Sequence, residues 1–475
     1  MQSNEVALCV DLDGTLVRSD LLYESVLLLL ARNPLYVFLL PIWLLKGRAA
    51  LKRSVASRVQ LQVENLPYDA RVLELLRTTA QRPRVLCSAS DRTLANAVAD
   101  HLGLFDEVIA SDGRQNLAGG RKAQALNQRF GLGQYDYMGN ARIDLSVWKH
   151  AAGAYVVNAG ESLAASIPSS TPIYAHWVGH GSGVRTWIRA LRIYQWAKNL
   201  LVLVPLLTAH RYFDLVAIAH SLTALASFGL CASGVYLLND LLDLDADRRH
   251  PRKRLRPFAA GDIPLLQGML AAPLLTAAGL LVALWINPLF AAVLTCYYVL
   301  TLAYSLILKR MVIVDVVTLS GLYTLRIVGG AVAIGADLSF WLLAFSMFIF
   351  LSLALIKRYT ELASVIATGQ TSVAGRDYMA TDAPMIQSLG ASSGYISTLV
   401  FALYINSADS LAHYHSPRLL WLLFPGLLYW ISRIWIIAHR GGMHDDPIVF
   451  AARDRVSWLV AIFSIAIVSA AMIGW

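Results

Sequence analysis

The stretch "NDLLDLDADRRHPRKRLRP", residues 239–257, puts four aspartates and six arginines or lysines into nineteen positions, directly after the apolar run "SLTALASFGLCASGVYLL" at 221–238. A helix turning about 100° per residue would gather Asn239, Asp240, Asp243 and Asp247 within an arc of about 100° and point Asp245 elsewhere. Three carboxylates so close together repel one another and resist leaving water. A hard cation relieves both costs, and Mg²⁺, the usual one, typically brings a phosphorylated ligand with it.

The rest of the chain explains why such charge sits at the end of a greasy segment. Hydrophobic residues make up 57% of the 475, mean hydropathy is +0.53, and 15% are charged, against roughly 25% in ordinary soluble domains. Residues 1–180 mix polar and apolar character, whereas the remainder is a series of long apolar segments. We therefore expect a soluble N-terminal domain over 1–180 and an all-α polytopic membrane domain over 185–475. The Pro-, Ser- and Gly-bearing "ASIPSSTPIYAHWVGHGSG" marks a connector at about 165–185.

Nine segments, near 194–210, 214–238, 263–284, 287–308, 311–333, 339–356, 389–407, 418–438 and 457–474, are each long and apolar enough to cross a bilayer. If the first runs outward, the inside loops hold Arg248, Arg249, Arg252, Lys253, Arg254, Arg256, Lys309, Arg310, Lys357, Arg358, Arg376, Arg440, Arg453 and Arg455, and the outside loops only Arg211 and Arg418. That asymmetry places the aspartate-rich stretch on the cytoplasmic face of an inner membrane. It also accounts for the +9 net charge without nucleic acid. Met1 to Glu5 leads straight into "VALCVDLDGT" with no basic n-region or cleavage site, so the first domain is expected to stay in the cytoplasm. Cys9, Cys87, Cys231 and Cys296 lack metal-ligand spacing and read as small buried apolar residues. A homo-oligomer is left open.

The pattern Asn-Asp-x-x-Asp-x-x-x-Asp at 239–247, followed by "RRHPRKRLRP", resembles the UbiA superfamily of intramembrane transferases. Four further stretches are similar to its branch of polyprenyl-phosphate phosphoribosyltransferases: "RIYQWAKNLLVLVPLL" at 192–207, "YSLILKRMVIVDVVTLSGLYTLRIVGG" at 304–330, "KRYTEL" at 357–362 and "DDPIVFAARDR" at 445–455. The resemblance implies transfer of phosphoribose from phosphoribosyl diphosphate to a polyprenyl phosphate, with Asp240, Asp243 and Asp247 holding Mg²⁺ on the diphosphate. Asn239 and Arg254 join the phosphate-binding set. Where prenyl-transferring relatives carry a second aspartate-rich motif, this chain has "KRYTE". Lys357 and Arg358 suit a further phosphate there. Lys198, Lys309 and Arg326 would extend the anion cradle, and Tyr304, Tyr359 and Glu361 would orient substrate or metal. Arg326 lies mid-span, where an unpaired charge is expensive, so it is expected to meet a ligand or an acid such as Asp315 or Glu361. Two rival readings stand beside this one: prenyl transfer to an aromatic or quinone precursor, and a non-catalytic lipid-phosphate binder or transporter.

The first domain carries its own signature. "VALCVDLDGTLV", "RVLCSAS", "GGRKAQAL" and "YDYMGNARIDLSVW" resemble, in order and spacing, the haloacid-dehalogenase-like phosphatases. This implies an α/β Rossmann-like fold with a helical cap at about 18–80. It assigns Asp11 as a nucleophile forming an aspartyl phosphate, Asp13 as general acid/base, Ser88 (Ser90 being the alternative) and Lys122 as phosphate holders, and Asp144 with Asp11 and Asp13 as Mg²⁺ ligands. Asn140 stands where the family usually has an aspartate, which removes one negative charge. The cap stretch "LLYESVLLLLARNPLYVFLLPIWLLKG" is interrupted by Arg32, Pro34 and Pro41 and predicts helices in the membrane interface. The alternative is a cap packed on its own core. Joined together, the two halves would make phosphoribosyl transfer and removal of the 5-phosphate successive steps on one lipid.

Overall fold

Ala7–Asp11, sequence ALCVD, is apolar on both faces, the pattern of a strand covered from both sides. In the computed structural model, which describes residues 6–179, 181–373, 375–407, 410, 414–443 and 446–473, it forms β1. Arg84–Asp91 (β2), Glu107–Ser111 (β3), Tyr135–Gly139 (β4), Gly153–Val157 (β5) and Ile173–Trp177 (β6) complete a six-stranded parallel sheet of order β3-β2-β1-β4-β5-β6. Leu8, Val10, Leu86, Met138 and Val157 fill one face, and Ala7, Cys9, Val85, Cys87, Tyr137 and Val156 the other. The chain runs from β1 outward to β3 and returns to β4 on the far side of β1, so a crevice opens at the carboxyl ends of β1 and β4. β6 lies inside the expected connector. Its edge position tolerates the flanking Pro168 and Pro172, because a proline off the strand removes no ladder hydrogen bond.

The expected cap is an insertion between β1 and β2 made of α1 (Leu21–Arg32), a 3₁₀ turn at Pro34–Phe38, α2 (Leu39–Leu45), α3 (Arg48–Ala56) and a helix at Ala70–Thr78. Asp20 caps α1 by accepting the amides of Leu22 and Tyr23.

The first compact unit takes in the chain to Arg192 together with Tyr236–Leu274, so the aspartate-rich loop packs with the α/β domain. Arg248 forms a two-pronged pair with Glu24, at 3.0 Å (Nη1–Oε2) and 2.5 Å (Nη2–Oε1). Arg18 reaches Asp262 at 3.1 Å. Gly261 has φ +73°, and a Cβ there would lie 2.3 Å from the Arg18 carbonyl oxygen, so the loop needs glycine at that point.

The second unit comprises Ile193–Val235 and Leu275–Trp475. Among the described residues, eight helices are long and apolar enough to cross a membrane: Leu215–Leu242, Leu265–Ile286, Pro288–Leu306, Val314–Ile334, Phe340–Ala367, Ala380–Ile405, Pro417–His439 and Arg455–Met472. The ninth expected span, near 194–210, is instead a 3₁₀ segment, Ile193–Leu203, followed by the short helix Val204–Thr208. Pro205 has no amide hydrogen and its ring clashes with the carbonyl four residues earlier, which stops an α-helix from running through. The irregular segment is pressed against Val314–Ile334, where Gly330 leaves room for the Val202 backbone, and Trp196 lies over Gly229. Of the four cysteines, Cys9, Cys87 and Cys231 are buried as expected, but Cys296 is exposed.

A methyl group at Gly330 would sit 2.0 Å from the Val202 carbonyl oxygen, whereas one at Gly321 meets nothing within 4 Å. Gly330→Ala is therefore expected to cost about 1–3 kcal/mol, read as a lowered Tm in detergent, with Gly321→Ala near wild type.

Candidate active sites

Three clusters of ionisable side chains stand out, two in the first unit and one in the second. The first lies in the crevice at the sheet's carboxyl edge. Asp11 ends β1 and pairs with Lys122 Nζ at 2.7 Å. Lys122 also donates to the Tyr137 hydroxyl at 2.9 Å, which in turn donates to Asp144 at 3.0 Å. Asp144 is fixed by the amides of Asn140 and Ala141 at 3.1 and 3.0 Å. Asp13 accepts from the Leu21 amide at 2.9 Å, from Ser90 Oγ at 2.6 Å and from Ser88 Oγ at 3.4 Å. Ser90, the alternative in the sequence reading, makes the shorter of the two serine contacts, while Ser88 Oγ accepts the Ser90 amide. Gly14 has φ +78°, and a Cβ there would meet the Asn140 side chain at 2.1 Å.

Burial pushes the Asp11 carboxyl up to about 7 against the pull of Lys122, and the nearby Asp144 adds to the rise. Asp13 is pushed up to about 6 by burial and by Asp20. Burial draws Lys122 down, but Asp11 and Asp144 outweigh it and hold the ammonium above its usual range. Among the residues here that escaped the sequence reading is Lys52 on α3, which donates to the Ala89 carbonyl at 2.5 Å and to Asn116 Oδ1 at 3.0 Å. Its only sequence signal was a cation inside an apolar insert. Among the described residues, Lys52 and Lys122 are the lysines that act on this set of Asp11, Asp13, Asp20 and Asp144. The shortfall of two positive charges fits a divalent cation. Among the described residues no three acidic, histidine or cysteine side chains form a ready cage, so such an ion would complete its shell with water and phosphate oxygens, as Mg²⁺ usually does.

The second cluster is the aspartate-rich stretch. The helix Leu215–Leu242 stops short of Asp243, which has φ −95° and ψ 11°, and a separate helix spans Leu244–Arg249. The single continuous face expected from the sequence is therefore broken. Asp240 and Asp247 are buried and share Arg256, whose Nη1 lies 3.1 and 2.6 Å from their carboxylates, and Arg192 also pairs with Asp240. Burial raises the Asp247 pKa despite Arg256. Asn239 is half-buried and Asp243 exposed. Asp245 pairs with Arg249 away from the others, as the spacing required. Arg254 is exposed, and Arg256, not Arg254, is the basic residue on the aspartates. A two-residue step along an irregular loop decides which arginine turns inward, and spacing cannot report that. Two buried carboxylates held by arginines, with Asp243 between them in sequence, suit a divalent cation and an anion arriving together.

The third cluster lies in the second unit. Lys198 Nζ and Lys357 Nζ approach Asp446 Oδ2 at 2.9 and 3.6 Å. Burial pulls the Asp446 pKa upward, but the two lysines outweigh it and hold the carboxyl below its ordinary range. Arg358 is 1% exposed and is neutralised by Asp315, at 3.1 Å, and by Glu361. Arg358, expected to suit a further phosphate, is thus already paired within the protein, although its Nη2 makes no hydrogen bond. Arg376 joins Asp315 and Glu361 at 3.2 and 3.4 Å, and Tyr378 donates to Asp315 at 2.6 Å. Tyr304 lies beside Arg376. Lys309 engages through its backbone carbonyl, which accepts from Arg376 at 3.2 Å. Tyr359 is buried against His439 at 2.9 Å.

Arg326 is buried, but its partners are neither Asp315 nor Glu361. It donates to Asn199 Oδ1 and Tyr297 OH, each at 2.9 Å, and to the Leu322 carbonyl at 2.8 Å, and it lies over the rings of Tyr297 and Tyr323. Neutral dipoles and ring faces thus solvate a cation inside the apolar layer. Asp315, Arg376, Tyr378 and Asp446 were not among the expected site residues. Asp446 was nonetheless visible within the similar stretch "DDPIVFAARDR".

Residues 201–452 match the UbiA prenyltransferase family. The chain belongs to this family. It is accordingly an integral membrane protein of a transferase family. The uncharacterized protein y4nM of Sinorhizobium fredii is 37% identical over 467 residues, 96% of this chain and 89% of that one. The decaprenyl-phosphate phosphoribosyltransferase of Mycobacterium tuberculosis is 33% identical over 291 residues, 60% of this chain and 93% of its own. Among solved structures, a UbiA homolog from Archaeoglobus fulgidus bound to GPP and Mg²⁺ aligns with 60% of this chain and 100% of its own, at TM-score 0.45 and 16% identity.

Lys357 is partly exposed and Arg358 is not. Replacing Arg358 with Met would leave the buried Asp315 with Arg376 and Tyr378 but without one of its two arginines, and is expected to cost about 1–3 kcal/mol of stability. Lys357→Met should cost under about 1 kcal/mol, as for a partly exposed pair. Thermal unfolding of both variants in detergent checks the contrast.

Proposed function

We propose that the membrane portion transfers phosphoribose from phosphoribosyl diphosphate to a polyprenyl phosphate, and that the N-terminal domain then acts as a haloacid-dehalogenase-like phosphatase on the product. The observation that carries the first step is the pair Lys198 and Lys357 converging on Asp446. Cations stand where an aspartate-rich motif would otherwise hold metal on a prenyl diphosphate, and they leave one positive charge over for a phosphate. A UbiA member similar to named decaprenyl-phosphate phosphoribosyltransferases is the background to this choice.

In the transfer, an oxygen of the lipid phosphate attacks C1 of the ribose as the bond from C1 to the diphosphate breaks. The nucleophile is already ionised, so no strong base is required. Asp240 and Asp247, with Asn239 and Asp243 beside them in sequence, would hold Mg²⁺, which supplies charge stabilisation to the departing diphosphate. Arg192 and Arg256 are placed to take up phosphate oxygens when the aspartates turn to the cation.

In the second step, the Asp11 carboxylate attacks the 5-phosphate, and the departing O5 takes a proton from Asp13. Water then hydrolyses the aspartyl phosphate, its proton returning to Asp13. The Asp13 pKa of about 6 suits a group that both gives and takes a proton near neutrality. Lys122 offsets the repulsion between two anions. The domain lies in one unit with the loop after Leu215–Leu242, which supports both chemistries being on the cytoplasmic side of an inner membrane.

The test is incubation of purified protein and Mg²⁺ with labelled phosphoribosyl diphosphate and polyprenyl phosphate, followed by mass spectrometry of the lipid fraction. Asp240→Asn and Asp247→Asn are expected to lower the transfer rate by at least about 100-fold, while Asp245→Asn stays near wild type. Asp11→Asn should leave consumption of phosphoribosyl diphosphate unchanged and yield a lipid heavier by one phosphate group. A prenylated aromatic product, or wild-type lipid that keeps its phosphate, would refute the corresponding step.

A further inference from the structure

The cap carries an apolar surface that its own domain leaves uncovered. From Pro34 to Leu45 the chain reads PLYVFLLPIWLL, and Leu35, Val37, Phe38, Leu39, Ile42, Leu44 and Leu45 are all exposed, Phe38 at 71% and Leu45 at 88%. Soluble monomers rarely present so many large apolar side chains in one contiguous patch. At twelve residues the turn and helix are too short to cross a bilayer. Between Ser25 and Val63 there is no acidic residue, while Arg32, Lys46, Arg48, Lys52, Arg53 and Arg58 supply six cations. Arg32, Lys46 and Arg48, at the two ends of the apolar patch, are exposed.

The one buried side chain of the hairpin, Trp43, shows what lies alongside it. Trp43 packs with Val26, Leu29 and Val55 against Met269. Met269 belongs to Leu265–Ile286, one of the candidate spans. It is four residues from that helix's start, or about 6 Å along its axis. The hairpin therefore lies beside the first turns of a candidate membrane span. Leu266, Leu270 and Leu274 on the same helix are exposed like the hairpin itself.

We propose that Pro34–Leu45 is a membrane wedge, its apolar side chains set into the lipid leaflet and its basic flanks on anionic headgroups. The wedge also bears on the phosphate site. Gly47, at φ +107°, turns the chain from α2 into α3, and α3 carries Lys52 to Ala89 and Asn116 at the crevice and Arg53 to Asp91 at 3.3 Å. The lid of the Asp11 site is thus seated in lipid at one end and reaches the phosphate-binding strand at the other. This suits a phosphomonoester presented on a lipid, and that part rests on the phosphatase reading above.

Two measurements on the full-length protein test the proposal. With Cys296 replaced by Ser, and Cys9, Cys87 and Cys231 buried, an environment-sensitive fluorophore is attached at Phe38→Cys in phosphatidylcholine–phosphatidylglycerol vesicles. Gln115→Cys serves as the water reference and Leu281→Cys as the lipid reference. The Phe38 probe is expected to be blue-shifted and quenched by doxyl groups on the lipid chains. A spectrum like that at Gln115 overturns the wedge. A blue shift without lipid quenching also overturns it, because protein, such as a second copy of the chain, then covers the patch. In the second measurement, Phe38→Asp with Leu45→Asp should lower kcat/KM for the lipid-borne phosphate by at least about tenfold while hydrolysis of p-nitrophenyl phosphate is unchanged. Equal loss on both substrates overturns the link to the phosphate site. If neither substrate is cleaved by the wild type, the phosphatase reading fails and the depth measurement alone decides the wedge.

Discussion

Asp240 and Asp247 are buried at the end of a long apolar helix, and they can remain there only because Arg192 and Arg256 reach them. Removing one side of a buried ion pair typically costs several kcal/mol, since the charge left behind has neither water nor partner. For Arg256 to arrive, the chain after Leu244–Arg249 must fold back on itself, and the same return carries Arg248 to Glu24 and Asp262 to Arg18. Neutralising two carboxylates therefore shapes the loop, and the loop in turn ties the α/β domain to it.

The two units differ in how they balance charge. In the sheet crevice four carboxylates face two lysines, a deficit that calls for a cation. In the second unit, Lys198, Lys357, Arg358 and Arg376 face Asp446, Asp315 and Glu361, and Arg326 adds a cation with no acid among its hydrogen-bond partners, an excess that suits an anion. Arg326 illustrates the excess most clearly, since among the described residues an amide, a phenol, a carbonyl and two aromatic rings attend it. Such a cation is tolerable in an apolar layer because its donors are satisfied, yet its field remains uncancelled for a ligand to use.

Much of this was legible without coordinates. The apolar run at Ala7–Asp11 is legible as a strand, and the length of the apolar segments announced the membrane helices, because burial in hydrocarbon or between two helix layers constrains composition directly. Asp11, Lys122 and Asp144 could be assembled from motif order because each sits at or within one turn of the end of a regular element. The apolar, acid-free composition of the cap insert was visible in the sequence too, although only the structure showed which of its side chains stay uncovered.

The sequence by itself determined the fold classes, the aspartate-rich helix end and the cationic replacement at 357–358. Tertiary structure alone decided that Pro205 and the passage of Val202 over Gly330 turn an apolar run into an irregular segment, that Asp243 breaks the helix face, and that Arg256 turns in where Arg254 stays out. It also decided that Arg358 is consumed by Asp315 while Lys357 is left with a shared carboxylate. The physical reason is common to all of these. Periodicity and composition report which environment a residue needs, whereas the partner of a long charged side chain is set by contacts far away in sequence, where a rotation of one or two residues exchanges a buried pair for an exposed one.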